Sequence, residues 1–319
     1  MTINLTDPIF HDEDAARTHM EKVRWPHGAT CPHCGAMDGI TLMAGKSHRP
    51  GLFLCNGCRG HFTVKTGSVM ESSHIPLAKW VLAFHLMAAS KKGVSAHQLH
   101  RTLGLTYKSA WFMAHRIREA MAPNAGDPPL GGAGKIVEAD EAYHGKREIP
   151  RIPNAQRKGR PFTKSGKSGG AEKRPIVALV ERGGEARATY MHHVTGKNLR
   201  EYIVKNASRK SRLHTDESNL YPAIGAEFVT HETVNHSIKE YARGDVTTNS
   251  VEGFFGIFKR GMVGIYQHCG EQHLQAYLDE FTFRYSNRSA LGVDDTQRAT
   301  FAILGGVGKR LTYEGCAST

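Results

Sequence analysis

Three carboxylates stand out by their surroundings. Asp140 closes the run Ile136-Val137-Glu138-Ala139, and Asp216 closes Leu213-His214-Thr215. Both runs read as strands that finish on an acid. Glu252 lies in Asn249-Ser250-Val251-Glu252-Gly253-Phe254-Phe255, where Val251, Phe255, Phe258 and Met262 recur at helical spacing. Two strand-borne Asp residues and a helix-borne Glu suit a pair of divalent cations that prefer oxygen ligands, Mg2+ or Mn2+. Between Asp216 and Glu252 lie 35 residues, and Lys259 follows Glu252 by seven. Seven residues is close to two helical turns, so Glu252, Lys259 and Asn249 share one face. Glu138, Glu141 and Glu217 flank the candidates, but alternation along a strand turns neighbours away and makes them second choices.

A second group of ligand-type residues precedes these. Cys31-Pro32-His33-Cys34 is followed by Cys55-Asn56-Gly57-Cys58. Each CxxC pair is a turn that aims two thiolates at one tetrahedral ion, so Cys31, Cys34, Cys55 and Cys58 predict a zinc ribbon with one structural Zn2+. His33 is a competing donor, but four thiolates already complete the site. Phe53 and Phe62 offer a small apolar surface, and a ribbon this small takes most of its folding energy from the metal. Cys269 and Cys316 stand alone and read as ordinary thiols.

The elements around these residues form several units. A chain of 319 residues holds two or three. The charge of +12 and pI near 9.5 favour a polyanionic partner. Mean hydropathy is −0.43, and the longest apolar run, Trp80 to Ala89, is too short to span a bilayer. No membrane association is expected, and the start of the chain lacks a signal peptide's basic-then-apolar order, so a cytoplasmic protein is expected. Residues 1–25 form an acidic lead-in and 26–66 the ribbon. From Pro76 the pattern is helical; Ser95 caps a helix over Ala96 to Leu103, Gly104 makes a turn, and Thr106 caps a third helix, Tyr107 to Met121. This outline over 74–122 fits a helix-turn-helix with Lys108, Arg116 and Arg118 facing DNA; a plain helical hairpin has the same outline. After a linker at 123–134, strands and helices alternate in an α/β order over 135–290, leaving 291–319 as a tail. Lys146 to Arg174 interrupts that order with ten Lys or Arg against two Glu. Arg157, Lys158 and Arg160 are the DNA-binding candidates there. Ser165-Gly166-Lys167-Ser168 imitates a phosphate-binding loop, but Pro161 stands where its earlier Gly belongs, so no nucleotide cofactor is expected.

In order and type these motifs resemble the ISXO-like insertion-sequence transposases, of the Asp-Asp-Glu/Asn type with a zinc ribbon in front. The resemblance rests on Val137-Glu138-Ala139-Asp140-Glu141, His214-Thr215-Asp216 and Thr248 to Phe255, with Gly264-Ile265-Tyr266 and Phe283 to Arg288. It implies a ribonuclease-H-like, integrase-type catalytic domain and an enzyme that nicks DNA at element ends and joins them to target DNA. Asp140 would bridge two cations, Asp216 would bind one and Glu252 the other, while Lys259 and Arg260 would contact phosphates. Double-stranded DNA is the implied partner, with homo-oligomers assembled on it.

The third ligand remains open. The family is often described with Asn in that role, and Asn249 shares the face of Glu252. Charge and the 35-residue interval favour Glu252. Asn249 as N-cap with Glu252 at the third helical position would instead form a capping box. Two other functions also fit the residues: a zinc-dependent DNA-binding regulator with a vestigial catalytic domain, and a nuclease that cuts without joining.

Overall fold

The computed structural model describes residues 4–146, 173–238, 240 and 242–312. Arg157, Lys158, Arg160 and Cys316 lie outside the described residues. Along the chain come α1 (Glu13–Arg24), β1 (Ile40–Leu42), β2 (Phe53–Cys55), β3 (His61–Phe62), α2 (Leu77–Ala89), α3 (Ala96–Leu103) and α4 (Tyr107–Met121). Then follow β4 (Ile136–Lys146), β5 (Lys173–Glu181), β6 (Ala186–Tyr190), α5 (Gly196–Asn206), β7 (Arg212–Thr215), α6 (Pro222–Gly225) and β8 (Thr230–Thr233). The last are β9 (Ala242–Arg243), β10 (Val246–Thr247), α7 (Asn249–Gly261), α8 (Leu274–Ser286) and α9 (Asp295–Gly305). Among the described residues, no helix is long and apolar enough to cross a membrane.

Two compact units divide the chain, Met1–Ala125 with Asp279–Thr319, and Gly126–Leu278. In the first, β1, β2 and β3 form a small antiparallel sheet that carries the cysteine knuckles. Trp25 packs edge-on against both Phe53 and Phe62, which stack on one another. The helices start where their caps dictate: Asp12, Ser95 and Thr106 accept the N–H of Ala15, Gln98 and Ser109. Gly104 ends α3 in the left-handed region, at φ 58°, where a Cβ would be strained. Trp80, Phe84, Met113 and Ile117 fill the core, and α9 packs on α2 and α4.

This packing alters the expected role of the third helix. Every residue of α4 from Met113 to Arg118 is buried, a run longer than one turn, so the second half of the helix has no open face. Arg118, 1% exposed, donates from Nε to Glu280 at 2.7 Å, and Arg284 donates to the other oxygen of the same carboxylate. Arg116 donates to the carbonyl of Glu71 at 2.6 Å and lies over Phe112. The phosphate contacts expected of Arg116 and Arg118 are therefore corrected: both guanidinium groups hold this unit together. Lys108, in the first turn, is exposed.

The second unit is built on a five-stranded mixed sheet in the order β6-β5-β4-β7-β8. β6, β5 and β4 are antiparallel, whereas β4, β7 and β8 run parallel. In chain order that is 3-2-1-4-5, an arrangement that fits a ribonuclease-H-like domain. One face, with Val137, Ala139, Val177, Leu179 and Leu213, packs against Leu199 and Ile203 of α5 and Ile224 of α6. The alternate residues of β4 and β5 face α7, whose Val251, Phe254 and Phe258 are buried. β4 does not end at Asp140 as its sequence suggests. It stays paired with β5 as far as Lys146↔Lys173, but pairs with β7 only as far as Glu138↔His214.

Candidate metal and catalytic site

The zinc site has the dimensions its ion needs. One sulfur from each of Cys31, Cys34, Cys55 and Cys58 lies within 4.8 Å of all the others. Cys31 Sγ is 3.6 Å from Cys58 Sγ, and Cys34 Sγ is 3.7 Å from Cys55 Sγ. Four sulfurs at a Zn–S distance of about 2.3 Å in a tetrahedron sit about 3.8 Å apart, so this set fits Zn2+ without rearrangement. His33 is not part of it; its ring nitrogen meets the His61 carbonyl oxygen at 3.3 Å.

The acidic site forms where β7 stops. Register pairs Glu138 with His214, so two residues on, Asp140 and Asp216 point from adjacent parallel strands toward the same side. Glu141 joins them: carboxylate oxygens of Asp140, Glu141 and Asp216 all lie within 4.8 Å of one another. Alternation assigns Glu141 to the opposite face, but β4 has no pairing with β7 beyond Glu138↔His214, so on that side no neighbouring strand separates the faces there. Sequence alternation alone could not show this.

Nearby donors neutralise these acids only in part. Asp140 accepts the N–H of Glu141 at 2.7 Å, and Asp216 accepts that of Ser218 at 3.1 Å. Burial, reinforced by the charges of Asp216, Glu141 and Glu252, pushes the Asp140 carboxyl up to about 7. Burial likewise raises Glu141 to about 7 and moves Asp216 upward. The Glu141 carboxylate lies against the buried hydroxyl of Tyr221, and burial together with the charge of Glu141 raises that hydroxyl above its ordinary range. Carboxylates held together at this cost suit a hard cation. Oxygens about 2.1 Å from a Mg2+ span up to about 4.2 Å across its coordination sphere, so the cluster needs only slight closure around one ion.

Glu252 lies outside that cluster. Its Oε1 accepts from the Thr248 hydroxyl at 2.7 Å and sits 3.6 Å from His236 Nε2. Its charge still acts on Asp140. Asn249 is the exposed first residue of α7. Neither belongs to a capping box, because Thr248 is the N-cap residue and makes no side-chain cap bond. Glu217 is committed elsewhere: the Ser237 hydroxyl and the N–H groups of His236 and Ser237 hold its carboxyl down at about 2. Lys259 and Arg260 are exposed in the last turn of α7, with the Lys259 ammonium over the Phe255 ring at 6.0 Å. Sequence reasoning missed His236, which no motif flagged, and Arg182, whose partners are distant in the chain.

Residues 129–286 match the family of the ISXO2-like transposase domain, and residues 11–61 match the transposase zinc-ribbon domain. The chain is similar to the uncharacterized protein in transposable element ISH50 of Halobacterium salinarum, with 27% identity over 278 residues, 86% of this chain and 91% of that one. Two solved structures show weaker likeness. One is a simian T-cell lymphotropic virus intasome with PP2A regulatory subunit B56 gamma, 13% identical over 58% of this chain and 63% of that chain, TM-score 0.28. The other is a pre-cleavage Mos1 transpososome, 12% identical over 70% and 73%, TM-score 0.27.

Proposed function

Since this chain belongs to the ISXO2-like transposases, we propose that it binds the ends of an insertion sequence and catalyses DNA cleavage and strand transfer with two divalent cations. The observation that carries the reading is the approach of Asp140, Glu141 and Asp216 oxygens to within 4.8 Å where the parallel pairing of β4 with β7 gives out. Two Mg2+ or Mn2+ bound there would activate the attacking oxygen and stabilise the leaving one in an in-line displacement at phosphorus.

The protein's own part is positioning. Asp140 feels the charges of Asp216, Glu141 and Glu252 together, which would suit a ligand shared by both ions. Glu252 is the third ligand in this reading, and reaching the cluster requires its carboxylate to leave Thr248 and His236. Anionic oxygen binds a hard cation better than the amide of Asn249 does. Lys259 and Arg260, exposed on the same helix, are suited to phosphates of the bound strand. The ribbon and the α3–α4 turn, with Lys108 exposed, are the proposed end-binding surface, and assembly as a homo-oligomer on two ends completes the reading.

Single-turnover cleavage of labelled end DNA in Mg2+ or Mn2+ tests it. Asp216→Asn and Glu252→Gln are expected to bind DNA and not cut it, while Asn249→Ser retains part of the activity. Cleavage by purified Asp216→Asn would refute the site. The reverse order for Glu252→Gln and Asn249→Ser would make Asn249 the ligand.

A further inference from the structure

Glu138 stands two residues before Asp140, hence on the same face of β4, and is wholly buried. Its carboxylate accepts the backbone N–H of Ser250 at 2.7 Å and of Val251 at 3.1 Å, and the Ser250 hydroxyl at 3.0 Å. Arg182, the first residue past β5, donates to it from Nε at 3.0 Å and Nη2 at 2.8 Å. The same guanidinium donates to the carbonyls of Asp245 at 2.7 Å and Thr247 at 3.2 Å.

A carboxylate is not left in a protein interior without compensation, and a helix start needs acceptors for its first N–H groups. Here each need meets the other. The N-cap residue Thr248 makes no side-chain cap bond, so β4 supplies the acceptor for the N–H groups of Ser250 and Val251, and the positive end of the helix dipole and Arg182 balance the charge. Arg182 also holds the segment that leads into α7. Both the helix and its approach are thereby tied to the strand that carries Asp140.

We infer that Glu138, held by Arg182, is a positioning residue for the metal site, fixing the first turn of α7, with Asn249 and Glu252, at a set distance from Asp140. The inference rests on the two-cation reading above. One strand then carries the first ligand and, two residues earlier, the anchor for the element that brings the third. A purely structural role for Glu138 would affect stability alone, whereas positioning also affects metal affinity.

The test is Mn2+ binding to the full-length protein by calorimetry, beside the Mn2+ dependence of end cleavage. Glu138→Gln keeps the shape but cannot satisfy all its donors. It is expected to weaken Mn2+ binding on the order of 10-fold or more, with the Mn2+ needed for half-maximal cleavage rising in step. Arg182→Met should weaken binding similarly, and Arg182→Lys less. Folded Glu138→Gln with wild-type Mn2+ affinity and wild-type metal dependence overturns the inference. If Glu138→Gln does not fold, unchanged Mn2+ affinity in Arg182→Met overturns it equally. Asp216→Asn, measured in parallel, separates the two layers. If it too leaves Mn2+ binding intact, the metal-site reading itself falls; if only the Glu138 and Arg182 variants are silent, the positioning role alone falls.

Discussion

Asp140→Asn should stabilise the protein while destroying its chemistry, provided Mg2+ and Mn2+ are removed. Burial and neighbouring acids raise the Asp140 carboxyl from an ordinary 3.8 to about 7 in the fold. Below pH about 4 the group is protonated in both folded and unfolded chains and costs nothing. Between about 4 and 7 the unfolded chain ionises freely while the folded one resists, so stability falls as pH rises through that window and levels off above it. A tenfold change in acidity is worth about 1.4 kcal/mol, which gives a ceiling of about 4 kcal/mol for the full change. Glu141, also raised to about 7, shares the strain and can take up protons in its place, so about 2–4 kcal/mol is expected above pH 7.5. Asn has nearly the same shape, and its amide oxygen can still accept the Glu141 N–H. Urea unfolding of the zinc-loaded protein in buffer free of Mg2+ and Mn2+, followed from pH 4.5 to 8, reads the difference between Asp140→Asn and the wild type. That difference should grow with pH, then shrink when millimolar Mg2+ is added, because only the wild type gains from the ion. A difference that stays flat across the window would refute the reasoning, since Asp140 would then ionise in the fold as readily as in water.

Other perturbations bear on the first unit. Replacing Cys34 and Cys55 together by Ser should release about one zinc per chain and unfold the ribbon, which atomic absorption and amide spectra would follow; a metal-free variant with unchanged spectra would contradict it. Arg118→Ala takes one guanidinium away from buried Glu280, which keeps its ion pair with Arg284, and should cost about 3 kcal/mol in urea titration. DNA affinity of the folded fraction should stay the same, and a selective loss of binding would return Arg118 to the surface.

The sequence was most readable where causes are local. Ser95, Gly104 and Thr106 act within a few residues of themselves, so the ends of α3 and α4 could be read directly. The CxxC spacing already contains the ribbon's geometry, and the apolar runs before Asp140 and Asp216 mark the two strands that bring these acids together, although β4 runs on past Asp140. Reading failed where a residue's meaning depends on a distant partner. Arg116 and Arg118 looked solvent-facing because charge usually is, yet the partner of Arg118 stands 162 positions away. Glu138 was passed over as a neighbour of Asp140 although it shares its face, and its role appears only once α7 is docked. Glu141 enters the cluster because β7 pairs with β4 no further, a property of its neighbour. The acidic residues ahead of the ribbon and those after Leu291 carry α1 and α9, whose apolar sides make sense only against α2.

The chain leaves its first unit at Ala125 and returns to it at Asp279. The middle is therefore spliced into the outer part, and the numbering conceals a discontinuous body. A fragment that stops at Ala125 would lack Glu280, the acid that balances Arg118, and would strip α2 and α4 of the cover given by α9. Such a piece keeps most of its core residues but exposes the side that Ala299, Ala302 and Ile303 cover. Dissection that respects the architecture deletes the interior and reconnects the flanks, so a C-terminal truncation series would report damage to one unit as though it were the function of another.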